Sequence, residues 1–247
     1  MDFKVFLVFL IVAFCDFSSA SLPRSIRTCP ADKNFDNCLK QVLEEIKPNL
    51  VTGDFGDGFK VIAGSPIVFP SLTIPEVGIT LSNMQFTGAT NFKVLNLKSD
   101  LQKLEFDLTL LTPQTVVQSK YEIKQKLPAL NVDLHGNGDI HIIFNKMHSR
   151  MRVRFMVVGD RIKLKKVQYK LKIDDARFNI DSLKNLSDKT GQSSKLFTEI
   201  ANNFVNSDPA FVLRKIEPKI QQLYSSKLQE IIETLFRDVK VSDFFAS

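Results

Sequence analysis

Apolar residues change their period twice along the chain. Phe35, Cys38, Leu39, Val42, Leu43 and Ile46 recur at intervals of three and four. That spacing predicts a short helix ending before Pro48, because the residue ahead of a proline is pushed out of helical geometry. From Ile67 to Ile180 the period becomes two. Leu104, Phe106, Leu108 and Leu110 alternate with Glu105, Asp107 and Thr109, and Met151, Val153, Phe155 and Val157 alternate with Arg150, Arg152 and Arg154. Further strands are expected near 79–86, 92–97, 116–123 and 140–145. Ile162 and Leu164 hold one parity and Val167, Tyr169, Leu171 and Ile173 the other, so a bulge is expected at Lys165-Lys166. Thr112-Pro113, Leu127-Pro128, Gly136-Asn137-Gly138 and Gly159-Asp160 read as turns between strands. Short connections predict an antiparallel meander of about six to eight strands, curved by its own twist, with one apolar concave face.

Near Asp208 the period returns to that of a helix. Asp208 suits a cap and Pro209 a first turn. Val212, Ile216, Ile220, Leu223, Leu228, Ile231 and Leu235 form an apolar stripe, widened by Phe211, Tyr224, Ile232 and Phe236. Lys215, Lys219, Gln222, Gln229, Glu233 and Arg237 fill the opposite face, so the segment reads as one amphipathic helix. Residues 211–236 would span roughly 39 Å. Pro218 lies inside it and predicts a bend. A helix this long needs a long apolar partner, which the concave face supplies.

Residues 1–20 read as a signal peptide: Lys4, an apolar run over 5–14 too short to span a bilayer, and small residues at Ser18-Ser19-Ala20. The mature chain is expected to begin near Ser21, to be secreted, and to form a single domain over 21–247. The leader takes Lys4, Asp2 and Asp16 with it, which moves the formal charge from +6 to +7. With no recognition motif, that charge gives no case for nucleic acid. Phe is abundant at 21 residues while Trp is absent, a bias that suits a dry interior. Cys15 leaves with the leader, so Cys29 and Cys38 remain as an even pair in an oxidising compartment and are expected to form a disulfide. Asn185-Leu186-Ser187 is a glycosylation sequon, which marks Asn185 as a candidate site.

No catalytic constellation stands out. The chain lacks HExxH and GxSxG, and its three histidines, His135, His141 and His148, have no second ligand one turn away. The glycine-rich 53–58 stretch lacks both the Lys-Ser/Thr of a phosphate loop and the closing Glu of a calcium loop, and reads as a turn. No metal or cofactor is expected, and an enzyme is the least supported class. Arg150, Arg152 and Arg154 lie with Lys163, Lys165 and Lys170 on adjacent strands. They could serve as a solvated outer face or as a contact for an anionic membrane.

The order of these features resembles the takeout and juvenile-hormone-binding protein family of insects. The resemblance rests on the leader, the early cysteine pair, the Phe-rich strand region with Gly136-x-Gly138, and the final helix. That helix opens at Asn206-Ser207-Asp208-Pro209 and closes at Leu235-Phe236-Arg237-Asp238-Val239, before Phe244-Phe245. It implies an α+β fold of the tubular lipid-binding type, in which a long bent C-terminal helix is wrapped by a highly curved antiparallel sheet enclosing an elongated apolar tunnel. It also implies an exported, monomeric carrier of juvenile hormone, a terpenoid or a fatty-acid-like ligand, with roles in circadian output, feeding or hormone signalling. Two mature cysteines point to the takeout-like branch.

On the two facing stripes, the expected tunnel residues are Phe106, Leu108, Phe144, Met151, Val153, Phe155 and Tyr169 from the sheet. From the helix they are Ile216, Ile220, Leu223, Leu228 and Ile231. Tyr121, Tyr169 and Tyr224 are the candidates to hold a ligand's polar end, and residue patterning does not rank them. The other classes open at this point are a basic defence protein binding membranes or lipopolysaccharide, and an interaction protein whose partner helix covers the stripe.

Overall fold

The computed structural model describes residues 22–75, 78–127, 132–181 and 192–246. The leader over 1–20 and Asn185 lie outside the described residues. In chain order, β1 is Cys29–Pro30, α1 Phe35–Glu45, α2 Lys47–Thr52, β2 Ile67–Ile74, β3 Ile79–Thr87 and β4 Lys93–Asp100. They are followed by β5 Glu105–Leu127, β6 Val132–Val158, β7 Arg161–Ile180, α3 Gln192–Ser207, α4 Pro209–Leu235, α5 Val241–Phe244 and β8 Phe245–Ala246.

One antiparallel sheet dominates, in the order β2-β3-β5-β6-β7, with β4 also paired to β5. Two strands are far longer than their turn signals suggested. Thr112-Pro113 lies inside β5, and Gly136-Asn137-Gly138 inside β6. Pro113 is tolerated mid-strand for a local reason. On one side of β5, pairing with β4 ends at Leu111 and pairing with β3 resumes at Val116, so no strand there needs the missing N–H. On the other side the ladder to β6 runs from Thr112–Met147 to Gln114–Asn145, skipping Pro113 and Lys146, and Lys146 sits at φ 52°. The bulge expected at Lys165-Lys166 is present: Arg154 pairs with Lys166 and Phe155 with Leu164, which leaves Lys165 unmatched. Gly159-Asp160 closes the β6–β7 hairpin, with Gly159 at φ 64°.

The long helix begins where the sequence places it. Asp208 caps α4 by accepting from the Phe211 amide at 2.9 Å, Pro209 opens the first turn, and the helix continues through Pro218 to Leu235. Its buried face is Leu213, Ile216, Ile220 and Tyr224. Tyr224 meets Phe69 of β2 at a ring distance of 5.9 Å and Tyr169 of β7 at 6.2 Å. One helix therefore touches both edge strands, which requires the sheet to curl into a half-barrel with α4 closing its open side.

The edge of β7 is capped by side chains from the two long helices. Asn202 and Asn206 of α3 each bind both backbone groups of Ile180 and Phe178 respectively. Glu217 and Gln221 of α4 accept from the amides of Ile173 and Leu171 at 2.7 and 3.1 Å. These contacts satisfy the ladder groups that an edge strand otherwise offers to another chain. At the opposite end, Cys29 and Cys38 are disulfide-bonded, with Cα atoms 5.8 Å apart, and β1 pairs in parallel with β8, which brings Cys29–Pro30 beside Phe245–Ala246. No helix among the described residues is long and apolar enough to cross a membrane.

Candidate functional site

Two apolar clusters share the interior. The first fills the half-barrel beneath the N-terminal half of α4. There Phe69, Phe86 and Phe144 are almost fully buried, and the Phe69, Phe86 and Tyr224 rings lie 5.3–5.9 Å apart. Aromatic rings crowd this half of the seam. The second cluster lies at the other end, where α1, the β5–β6 ladder and the last turns of α4 converge.

In the second cluster the surfaces stand apart around a cavity of about 200 Å³. Phe106, Leu108, Val153 and Phe155 form its sheet wall, with Phe106 directly opposite Val153 in the ladder. Ile232, Leu235 and Phe236 form the helix wall, and Leu39, Val42 and Phe244 the end wall. Phe155 touches Phe236 at 4.7 Å and Phe106 at 5.8 Å, so rigid rings frame the space. Arg27 and Thr28 are among the few polar residues at its rim; Arg27 reaches Glu45 at 3.1 Å and Gln41 at 3.3 Å, tying the N-terminal segment to α1. A cavity lined this way offers no group for bond-making chemistry. It holds apolar matter by excluding water.

The residues singled out in the sequence divide between the clusters. Phe106, Leu108, Val153 and Phe155 line the cavity. Phe144, Tyr169, Ile216 and Ile220 are buried in the packed half, and Leu223 and Leu228 lean half-buried against it. Met151 touches both clusters. Ile231 is half-buried and packs against neither, because the next residue, Ile232, turns towards the cavity. Past Tyr224 the buried face has drifted by one residue from the stripe through Leu223 and Ile231. Sequence reasoning also left out α1 and Phe244 as walls. Their apolar spacing was visible, but not which end of the barrel they would close.

The three tyrosines are all buried. The Tyr169 hydroxyl shares a hydrogen bond with Ser149 at 2.8 Å, and burial pushes its pKa up to about 12 against the opposing pull of that bond. Burial, then the carboxylates of Asp139 and Asp181, raise Tyr121 to about 12. Tyr224 is raised further still, by burial and then by neighbouring Tyr169, and its hydroxyl has no hydrogen-bond partner.

The arginine stripe on the outer face is largely occupied. Arg152 reaches Asp107 at 2.8 Å and Glu105 at 3.1 Å, Arg154 binds Glu105, and Arg150 lies 3.8 Å from Asp107. These cross-strand pairs direct the guanidinium groups at the protein's own carboxylates. His141 and His148 likewise face Asp181 and Asp174, each at 3.1 Å. Among the described residues, no group of three or more His, Cys, Asp or Glu side chains could hold a metal ion.

A curled antiparallel sheet closed by one long helix, with an apolar cavity at one end, is the architecture of a tubular binding protein. The sequence profile of the haemolymph juvenile hormone binding protein family matches residues 5–246, and the chain belongs to that family. It is a family of binding proteins, not enzymes. The crystal structure of Epiphyas postvittana Takeout 1 aligns over 89% of this chain and 99% of that one, with a TM-score of 0.70 at 17% identity, and so shares the fold. A crystal structure of lipopolysaccharide binding protein aligns over 88% of this chain and 40% of that one at 13% identity. The TM-score of that alignment is 0.38. No curated protein matches the chain in sequence.

Proposed function

We propose that the protein is a secreted, monomeric carrier of a small hydrophobic ligand: juvenile hormone, another terpenoid or a fatty-acid-like chain. The observation behind this reading is the apolar cavity of about 200 Å³ between the sheet and the last turns of α4. A well-packed domain of this size has few internal voids, and each costs stability. Family membership adds to the case, since the family takes its name from a hormone-binding protein of haemolymph. The leader-like residues 1–20 and the Cys29–Cys38 disulfide fit export. Asn185 is proposed as a glycosylation site on the exported chain, and circadian, feeding or hormone signalling as the setting.

Energetics permit the assignment. A fifteen-carbon guest losing about 400 Å² of apolar surface gains roughly 10 kcal/mol before association costs. The alternative, a basic protein binding anionic membranes or lipopolysaccharide through Arg150, Arg152 and Arg154, is the weaker reading, because Glu105 and Asp107 already engage those arginines. The test is native mass spectrometry of the naturally secreted protein. A bound lipid or terpenoid is expected. A mass equal to the bare chain, together with no uptake of juvenile hormone or long-chain lipids offered in excess, would overturn the carrier reading.

A further inference from the structure

Resting on that reading, the structure ranks the three tyrosines. We propose that Tyr224 is the polar anchor, whose hydroxyl donates a hydrogen bond to a neutral oxygen at one end of an elongated apolar guest: an ester, ketone or ether rather than a carboxylate.

Three observations carry this. First, Tyr224 is 7% exposed and its hydroxyl is unpaired; with Thr115 it is one of two buried hydroxyls left without a partner among the described residues. An orphaned hydroxyl is costly to keep in a folded interior, so its presence asks for an occupant with an acceptor. Tyr169 does not meet that description, since it already shares a bond with Ser149 at 2.8 Å. Tyr121 is not without a partner either. Second, the polar side chains buried in the described interior are serines, threonines and tyrosines, with no lysine, arginine or histidine among them. A carboxylate brought there would lose its hydration with no cation in exchange, whereas a neutral oxygen asks for a single donor. Burial also keeps the Tyr224 phenol protonated, and so a donor.

Third, the anchor lies beyond the cavity's inner wall, which it does not itself line. Tyr224 precedes Ile232 of the cavity wall by two helical turns, roughly 12 Å. On the sheet, Leu108 of the cavity wall pairs with Met151, and Met151 pairs with Tyr169, the ring stacked at 6.2 Å and 17° on Tyr224. Met151 packs against both apolar clusters, and its unbranched side chain can change rotamer to join them. An apolar cavity of about 150 Å³ takes one benzene ring. A guest that displaces Met151 and parts the rings packed beyond it brings its leading end to Tyr224.

The test uses the delipidated full-length secreted protein and displacement of N-phenyl-1-naphthylamine by three chain-matched competitors: methyl hexadecanoate, heptadecane and, at pH 8, hexadecanoate. The ester is expected to bind about tenfold more tightly than the alkane, the worth of one hydrogen bond to an otherwise unpaired donor, and more tightly than the carboxylate. Tyr224→Phe should bring the ester down to the alkane's affinity and leave the alkane unchanged, whereas Tyr169→Phe should keep the preference. Equal affinities for ester and alkane in the parent protein, which can be read without any variant, would overturn the assignment. So would a preference that survives Tyr224→Phe. Displacement by none of the three would overturn the carrier reading and this inference with it.

Discussion

The Asn206 carboxamide holds both backbone groups of Phe178: its Nδ2 donates to the carbonyl at 2.7 Å and its Oδ1 accepts from the amide at 2.9 Å. One turn earlier Asn202 does the same for Ile180, at 2.9 and 2.8 Å. The match is metrical. Four residues of helix rise about 6 Å, and two residues of strand about 6.6 Å, so amides spaced one turn apart meet every second residue of β7. The strand facing α3 and α4 thus has polar partners at 171, 173, 178 and 180 in place of a further strand.

Replacing Asn206 by Leu should therefore destabilise the fold through the strand and not through the helix. Two part-buried backbone groups lose their partners, at a cost of about 2 kcal/mol. For a chain of this length that lowers the melting temperature by about 4–8 °C. Hydrogen exchange at Phe178 should accelerate more than exchange within α3 or at Ile180, whose amide Asn202 still holds. Unchanged exchange at Phe178 would mean that the carboxamide is not what protects the edge.

The disulfide makes a separate prediction. Cys29 and Cys38 enclose ten residues, and opening such a loop costs about 2.7 kcal/mol in the chain-entropy treatment. Cys29 also pairs with Phe245 in the short parallel ladder and lines the cavity. The Cys29→Ser/Cys38→Ser double variant should unfold at lower denaturant and release a bound apolar probe faster, since the same residue staples the fold and walls the site. Loss of stability with an unaltered off-rate would separate the two roles.

Alkaline pH should expose the buried tyrosines together. The ordinary phenol pKa is 10.0, and Tyr169 is raised to about 12 by burial. Because the folded state holds its proton more tightly than the unfolded chain, this stabilisation is complete below pH 10. It declines by up to about 1.4 kcal/mol per pH unit as the pH rises from 10 towards 12. Tyr121, raised to about 12, acts in the same direction, as does Tyr224. Phenolate absorbance near 295 nm should accordingly appear in step with loss of the circular dichroism signal. Titration of the three tyrosines near pH 10 in a protein still folded would contradict their burial.

Local chemistry explains what the sequence made legible. The start of α4 is written in Asp208 and Pro209, and the β7 bulge in the parity change around Lys165, because both are decided by neighbours in the chain. The continuity of β5 and β6 is not. Pro113 and Gly136-Asn137-Gly138 carry turn chemistry, and only the gap between β4 and β3 beside Pro113 makes it harmless within a strand. The site shows the same division. Phe106, Leu108, Val153 and Phe155 follow from strand alternation, whereas the switch from Leu223 and Ile231 to Tyr224 and Ile232 depends on how α4 sits against two edges at once. The division into a packed half and an open half depends on side-chain volumes meeting across the barrel, which one-dimensional periodicity does not encode.

That division makes a final prediction, in which filling and breaking the interior have opposite effects on stability but the same effect on binding. Val153 is 4% exposed and forms part of the cavity's sheet wall opposite Phe106. In a packed interior Val→Phe overpacks at a cost of about 1–3 kcal/mol. Beside a void of about 200 Å³ the added ring has somewhere to go, so Val153→Phe should leave the melting temperature unchanged or raise it while reducing affinity for an apolar probe at least tenfold. Leu223→Arg acts in the packed half, where Leu223 leans on the first cluster. It should weaken binding by loosening the barrel around Tyr224, with a fall in melting temperature of several degrees, since a guanidinium pressed into that cluster has no partner. Measuring both variants by thermal denaturation and probe titration distinguishes a cavity that receives ligand from one that is only a packing defect. In the second case Val153→Phe would gain stability and bind as the parent does.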